Sequence, residues 1–253
     1  MSSSTLRVCA LYPELMNIYA DRGNLLMLER RCAWRGIGFQ LTATTLEQQL
    51  RDEHDLYYIG GGQDADQLRC AEDLVHCKAP ALRAAAGRGA IVLGVCGGYQ
   101  LLGHHYEIAD ERIEGVGLLD VVTIRADGER LIGNIVVELD PPLRGAPRDG
   151  GEPGERLVVG FENHAGRTQL GAGQAPFARV VRGRGNDGHS GFEGARAGNV
   201  IGTYVHGPLL PKNAWLCDWL IARALGLEPD ELAALDDTLE DAAHANALHA
   251  AGA

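Results

Sequence analysis

Apolar runs alternate with helical segments along the first part of the chain. The predicted strands are residues 6–11, 39–44, 56–59 and the apolar run from Ala90 that ends at Cys96. The helical patterns between them cover residues 25–35, with Gly36 as C-cap, then 65–76 and 81–86. Strands that alternate with helices are typical of βαβ units. The first part of the chain therefore predicts an α/β fold with a mostly parallel sheet.

Beyond Cys96 the pattern becomes rich in short strands. They are predicted at residues 118–124, 131–139, 157–161, 178–181 and 199–205. Exposed loops are predicted at residues 141–155 and 183–191, and an amphipathic helix at 213–225. We expect one domain over residues 1–226, followed by an acidic, alanine-rich tail over 227–253 that starts helical and frays at its end.

Composition and charge narrow the class of protein. The net charge of −11 argues against a nucleic-acid binder, which needs a basic face. Lys78 and Lys212 are the only lysines and neither lies in a P-loop motif, so any ATP is expected on another polypeptide. The six cysteines are scattered without metal-ligand spacing, so no metal site is expected, and no cofactor is expected on this chain. With no apolar run of about 20 residues and no signal-peptide pattern, we expect a cytoplasmic protein without membrane insertion.

The clearest candidate for chemistry is Cys96. It lies between a buried strand and the start of a helix, and Gly94, Gly97 and Gly98 flank it. Small residues on both sides are what a sharp strand-to-helix turn needs, and such a turn carries its apex residue in a strained, exposed conformation. Unpaired N–H groups at the helix start favour a thiolate. We interpret Cys96 as a nucleophile; the alternative is a small core residue.

A cysteine nucleophile needs a base and an oxyanion hole. His206 is the predicted base because it ends a buried strand directly before a turn, at the sheet edge where catalytic groups collect. The N–H of Gly97 is one predicted oxyanion donor. The loop that follows the third strand provides the other, from Gly61 or Gly62, because glycine lets backbone amides turn inward.

These motifs resemble the class I (triad) glutamine amidotransferases, in the branch of cobyric acid synthase. The elements that carry the likeness are Gly94-x-Cys96-x-Gly98-x-Gln100, the glycine loop, the segments 18–24, 130–134 and 161–168, and 204–208 around His206. Within the branch they are most similar to the glutaminase subunits of lipid II isoglutaminyl synthase. The resemblance implies a flavodoxin-like three-layer sandwich that hydrolyses L-glutamine to glutamate and ammonia.

The same resemblance implies a heterodimer. Its partner is a MurT-like Mur-ligase subunit, which uses the ammonia and ATP to amidate the D-glutamate α-carboxyl of the lipid II stem peptide. By resemblance Arg130 binds the α-carboxylate of glutamine, and Gln100 helps to hold the substrate. Asn163 and His164 either line the same cleft or brace a turn, and Asp21 and Arg22 are candidates for the interface.

One position departs from the usual triad. Most class I amidotransferases carry a glutamate two residues after the histidine, and this chain has Pro208 there. The orienting acid comes either from elsewhere in the chain or, as we favour, from the partner. Two other functions remain open: amidation of another carboxylate, such as a corrinoid side chain, and a non-catalytic scaffold. The absence of a P-loop argues against the first, and the intact Cys96 and His206 argue against the second.

Overall fold

The computed structural model describes residues 4–18, 21–108, 111–125, 128–139 and 157–253. Its strands are β1 (Thr5–Leu11), β2 (Gly38–Thr44), β3 (Leu56–Ile59), β4 (Ile91–Val95), β5 (His105–Ile108), β6 (Glu111–Glu114), β7 (Val121–Arg125), β8 (Leu131–Leu139), β9 (Leu157–His164), β10 (Gly166–Leu170), β11 (Ala178–Arg182), β12 (Phe192–Glu193), β13 (Ala195–Ala197) and β14 (Val200–Thr203). Its helices are α1 (Arg22–Trp34), α2 (Asp64–Asp73), α3 (Ala79–Gly87), α4 (Gly97–Leu102), α5 (Leu209–Lys212), α6 (Ala214–Ala224) and α7 (Thr238–Ala251).

A six-stranded sheet forms the centre of the molecule. Its order is β13-β14-β4-β3-β1-β2, and every neighbouring pair is parallel except β13 with β14. Strands β3, β4 and β14 are buried at every residue, as expected for strands covered on both faces. The α/β class and the mostly parallel sheet are thus confirmed. Parallel β4 and β14 bring the residues after Val95 and Thr203 to the same sheet edge.

Two smaller sheets lie beside the central one. Their orders are β10-β7-β5-β6 and β12-β11-β8-β9. They contain four of the strands predicted from the sequence, and they also contain β5, β6, β10 and β12, which the pattern did not predict. Strand β6, with the sequence Glu-Arg-Ile-Glu, is mostly exposed and lacks an apolar face, so only its pairing with β5 defines it. The loop predicted at residues 141–155 lies outside the described residues.

Two local predictions hold in outline and differ in burial. The stretch 183–191 is a loop that is exposed at most positions, as predicted, but Asn186 in its middle is fully buried and exchanges hydrogen bonds of 2.8 and 2.9 Å with the backbone of Gly194. The predicted amphipathic helix at 213–225 is present as α6, but most of its residues are buried, because the helix packs against both α1 and β4.

The secondary structure of the segment after Gly226 differs from the prediction. It starts with a short 3₁₀ turn at Pro229–Glu231, and its long helix, α7, comes at the end, where fraying was expected. Asp237, just before α7, accepts hydrogen bonds from the buried Arg31 guanidinium of α1, and Arg31 also binds Asp218 of α6. Ala251 packs on Val136 and Val159. This segment therefore packs against the body of the fold.

Candidate active site

Cys96 forms the turn between β4 and α4. Its backbone has φ 54° and ψ −107°, a region that a residue with a side chain seldom occupies. Such a conformation costs on the order of 1–3 kcal/mol and persists where the surroundings enforce it. Here the Cys96 N–H is held by the Thr203 carbonyl of β14 at 2.8 Å. The strained elbow expected from the sequence is present.

The neighbouring glycines are required by close approach of the backbone. A Cβ on Gly94 would lie 2.7 Å from the Gly98 carbonyl oxygen, and a Cβ on Gly98 would lie 2.2 Å from that of Ile59. Both distances are far below van der Waals contact. The backbone segments at the elbow therefore pack so closely that only glycine fits at these two positions, which explains the Gly-x-Cys-x-Gly spacing.

The thiol is less exposed than the sequence suggested. Cys96 is only 8 % exposed, and burial together with the Asp21 carboxylate raises the pKa of its thiol to about 12. The Gly97 N–H and Arg130 lower this pKa, but they do not offset burial. The expectation of a solvent-exposed apex with a favoured thiolate is thus wrong for the chain alone, and a base must take the thiol proton.

A cavity of about 220 Å³ opens beside Cys96. Six of the residues named from the sequence line it, namely Cys96, Gln100, Gly62, Arg130, Asn163 and His164. The remaining lining residues are Ile18, Asp64, Gln67, Tyr106, Glu107, Ile108, Arg125, Gly128, Ala165 and Gly166. The cavity is small, and a thiol, amides and a guanidinium converge on it. This combination suits a polar metabolite.

The two candidate loop donors of the oxyanion hole have different roles in the structure. The Gly61 N–H donates to Oδ2 of Asp21 at 2.7 Å and is therefore engaged. The Gly62 nitrogen lies 3.2 Å from the position a Cβ on Gly97 would take, so these two residues are neighbours, and the Gly97 N–H interacts with the Cys96 thiol. Gly62 and Gly97 remain the predicted oxyanion donors, and Gly61 instead anchors the loop.

Asp21 is the group that holds this loop. Its side chain is buried, and burial raises its pKa to about 7 although the Gly61 N–H opposes the shift. Above that pH the carboxylate charge disfavours a thiolate at Cys96. Asp21 thus fixes the glycine loop and, when ionised, raises the pKa of the nucleophile. The sequence had indicated only an interface role.

We expect Asp21→Asn to lower the pKa of Cys96. The asparagine oxygen keeps an acceptor for the Gly61 N–H and removes the charge that raises the thiol pKa. Alkylation of Cys96 by iodoacetamide should become several-fold faster above pH 7, where wild-type Asp21 is ionised, and should change little below it. Asp120→Asn, an exposed change, is the control. Identical pH profiles for wild type and Asp21→Asn would contradict the assignment.

His206 lies at the same sheet edge as the elbow, because parallel β4 and β14 end there, but it is not among the described residues that line the cavity. Its backbone forms an antiparallel bridge with Phe161 of β9, with hydrogen bonds of 2.9 and 3.0 Å, and a Cβ on Gly160 would meet the His206 carbonyl at 2.9 Å. Burial and the Lys212 ammonium lower the pKa of the ring to about 4. A neutral imidazole is the form that accepts a proton, so this position fits the predicted base.

The position two residues after His206, where an orienting acid is usual, is occupied by Pro208. Pro208 caps α5 with extended backbone, as its ring requires. The buried Glu193 carboxylate lies beside the end of β14. It accepts hydrogen bonds from the Thr203 hydroxyl at 2.6 Å and from the Tyr204 N–H at 2.8 Å. Its described contacts are thus to the residues before His206, and its burial raises its pKa to about 7.

Arg130 lies at the rim of the cavity, positioned by Asn163. Its Nε donates to Asn163 Oδ1 at 2.9 Å and its Nη2 to the Asn163 carbonyl at 3.0 Å. Because β8 pairs with β9 along their length, Leu131 lies opposite His164 and the guanidinium lies beside the end of β9. Asn163 thus orients Arg130. The sequence alone could not decide the role of Asn163.

We expect Arg130→Ala to raise KM for glutamine strongly, by about 30- to 150-fold. A charge-assisted pair with the α-carboxylate is worth ~2–3 kcal/mol, and kcat should change less. Arg130→Lys keeps the charge but loses the planar fork, so it should lie between wild type and alanine. Arg112→Ala, at an exposed arginine of β6, is the control. Unchanged kinetics at low glutamine would place the α-carboxylate site elsewhere.

Gln100 belongs to a hydrogen-bonded network in the cavity wall. Gln67 Nε2 donates to Gln100 Oε1 at 2.7 Å, and Gln100 Nε2 donates to the Tyr204 hydroxyl at 3.2 Å. The Tyr204 hydroxyl also contacts Thr168 Oγ1 at 2.7 Å. A role for Gln100 in holding the substrate stays a prediction. The sequence analysis did not identify Gln67 as a residue of the site, although it lies in the first turn of α2, directly after the glycine loop.

Within the part of the chain that the structure describes, no group of three or more histidine, cysteine, aspartate or glutamate side chains could hold a metal ion. In those same residues no helix is both long and apolar enough for a membrane span.

The fold and the site together define a domain of the glutamine amidotransferase class. The chain belongs to the CobB/CobQ-like glutamine amidotransferase family, whose domain model matches residues 7–214. It is similar to the GatD subunit of lipid II isoglutaminyl synthase (glutamine-hydrolysing) from Streptococcus pneumoniae, with 36 % identity over 87 % of this chain and 80 % of that protein. GatD from Staphylococcus aureus is also 36 % identical, over 86 % of this chain and 85 % of its own length.

Other relatives share only the domain or the fold. Cobyric acid synthase from Pelotomaculum thermopropionicum is 41 % identical over 60 % of this chain, but the match covers 29 % of that protein. The structure of PurLQS from Thermotoga maritima superposes with a TM-score of 0.61 at 20 % identity, over 87 % of this chain and 98 % of that one. The glutaminase domain of Trypanosoma brucei CTPS with bound acivicin gives a TM-score of 0.52 at 11 % identity, over 88 % and 95 %. The predicted amidotransferase fold is confirmed.

Proposed function

We propose that this chain is the glutamine-hydrolysing subunit of a lipid II isoglutaminyl synthase. The observation that carries the proposal is the strained Cys96 elbow, which opens onto a small polar cavity with Arg130 at its rim. The family and the two GatD relatives support it. Their matches span most of both proteins, whereas the cobyric acid synthase match spans a minor part of a longer protein.

The residues of the site account for the chemistry as follows. His206 takes the thiol proton, and the Cys96 thiolate attacks the side-chain carboxamide carbon of glutamine. The oxyanion forms beside the Gly62 and Gly97 amides, and His206 returns the proton to the leaving nitrogen, which departs as ammonia. Water then attacks the glutamyl thioester with His206 as base and releases glutamate.

The ammonia has to reach an acceptor activated elsewhere. We propose a heterodimer with a MurT-like Mur-ligase subunit that binds ATP and any metal, and that amidates the D-glutamate α-carboxyl of the lipid II stem peptide. The names of the GatD relatives, which describe subunits of a lipid II enzyme, support this assignment. Lipid II would be reached through the partner in the cytoplasm, without membrane insertion of this chain.

We further propose that the partner supplies the third member of the triad. Pro208 stands where an orienting acid is usual, and the described contacts of Glu193 are to Thr203 and Tyr204. A carboxylate placed against the ring would raise the pKa of His206 from its lowered value and stabilise the imidazolium that forms during catalysis.

The test is glutamate production by the purified chain alone and by the pair reconstituted with its Mur-ligase-like partner. We expect slow hydrolysis by the chain alone and at least about a tenfold acceleration in the pair, because orientation of the base is worth that much or more. Replacing one interface carboxylate of the partner should remove the acceleration, whereas a neighbouring exposed carboxylate should not matter. Equal rates for chain and pair would contradict the shared triad but leave Cys96 and His206 in place.

A further inference from the structure

The cavity beside Cys96 is lined by a histidine other than the predicted base, His164, which the proposed hydrolysis does not use. The ring is at the end of β9, is 2 % exposed and lines the cavity. It is stacked on Tyr204 with 3.6 Å between ring centroids and 4° between the planes. Stacking and burial fix its orientation, so the directions of its two nitrogens are defined.

The hydrogen bonds of the ring define its tautomer. Nδ1 lies 2.9 Å from the Gly166 carbonyl oxygen, which can only accept, so Nδ1 carries the proton. Nε2 is then a lone-pair acceptor. It is buried and has no hydrogen-bond partner within the described part of the structure. A buried acceptor without a partner is costly, and such a group beside a cavity is explained when a ligand supplies the donor.

The surroundings keep this acceptor neutral. Burial, with smaller contributions from Arg167, His206 and Arg130, lowers the pKa of His164 to about 3. At physiological pH the ring therefore offers a fixed lone pair and carries no charge that would repel a cation.

We infer that His164 Nε2 accepts a hydrogen bond from the α-ammonium group of the glutamine substrate and thereby selects α-amino acids. This inference rests on the proposed glutaminase function. Arg130, the candidate for the α-carboxylate, is held by Asn163, the residue directly before His164. In an α-amino acid the carboxylate and the ammonium are attached to one carbon. A substrate bound to Arg130 therefore brings its ammonium group to the same end of the cavity.

The inference is tested with L-glutamine and glutaramate, which has the same carboxamide and carboxylate but lacks the α-amino group. Ammonia release by the reconstituted pair gives kcat/KM for each compound, and competition with glutamine gives Ki where glutaramate turnover is slow. His164→Asn places an amide near Nδ1, which retains the bond to Gly166 but removes the acceptor at Nε2. His164→Gln places an oxygen near Nε2. His54→Asn, at a buried histidine that packs on Tyr57 and is not among the described residues lining the cavity, is the control.

We expect His164→Asn to lower kcat/KM for glutamine by about 10- to 100-fold and to leave glutaramate within about threefold, because only glutamine loses a partner. His164→Gln should restore part of the preference, and His54→Asn should leave it unchanged. A loss of equal size for both compounds would overturn the inference and indicate a structural or general-base role. A preference unchanged in His164→Asn would also overturn it. No glutamine hydrolysis by the wild-type pair would instead overturn the proposed function itself.

Discussion

Replacing Cys96 with alanine or serine should reduce glutamine hydrolysis by more than about 10³-fold, the largest effect we expect. Among the described residues that line the cavity, Cys96 has the one thiol that can form the glutamyl thioester, and neither a methyl group nor a hydroxyl at this position replaces it. Serine matches the size of cysteine, so the elbow should be preserved. Ammonia release in the reconstituted pair is the measurement.

Folding and partner binding are the controls for this variant. Cys96 contributes little core volume, and its backbone is fixed by the Thr203 carbonyl and by the neighbouring glycines. The thermal midpoint of Cys96→Ser should therefore stay within a few degrees of wild type. Cys217→Ser, at another buried cysteine in α6, controls for loss of a buried thiol and should retain glutaminase activity. Near-full activity in Cys96→Ala would end the assignment of the nucleophile.

His206→Ala should lower kcat by at least about 100-fold, the low end for a positioned general base. The effect is expected to be large because burial and Asp21 keep the Cys96 thiol protonated at neutral pH, so hydrolysis depends on a group that removes the proton. Because the thiol stays protonated, there is too little thiolate at neutral pH for hydrolysis to proceed without the base.

The control for His206 is His164, a histidine that lines the cavity beside Cys96. His164→Asn should impair glutamine far more than glutaramate, whereas His206→Ala should impair both compounds alike. If the His164 variant lost all activity with both substrates while His206→Ala stayed active, the two roles would have to be exchanged. The backbone bridge between His206 and Phe161 does not involve the ring, so His206→Ala should fold.

The elbow and the central sheet could be predicted from the sequence because local rules determine them. Buried strands have near-continuous apolar runs, and Gly94 and Gly98 are required by contacts with Leu102, Ile59 and the elbow itself. The position of His206 followed from the same logic, since parallel strands end at one sheet edge.

The remaining features depend on contacts between distant parts of the chain. Asp21 binds the Gly61 N–H across 40 residues, and no local pattern indicates that this amide is engaged. Strand β10 and the stacking of His164 on Tyr204 likewise depend on tertiary pairing. The degree of burial of Cys96 also follows from packing, which is why the sequence overestimated its exposure.

The most direct test of the central claim is the detection of the glutamyl thioester on Cys96. The reconstituted pair is mixed with L-glutamine, quenched in acid within the first turnover, digested and analysed by mass spectrometry. We predict a glutamyl adduct on the peptide that contains Cys96, absent from Cys96→Ser and lost from wild type once glutamine is exhausted. Glutamate formation at the full wild-type rate by the Cys96→Ser pair, or an adduct only on another residue, would contradict the account.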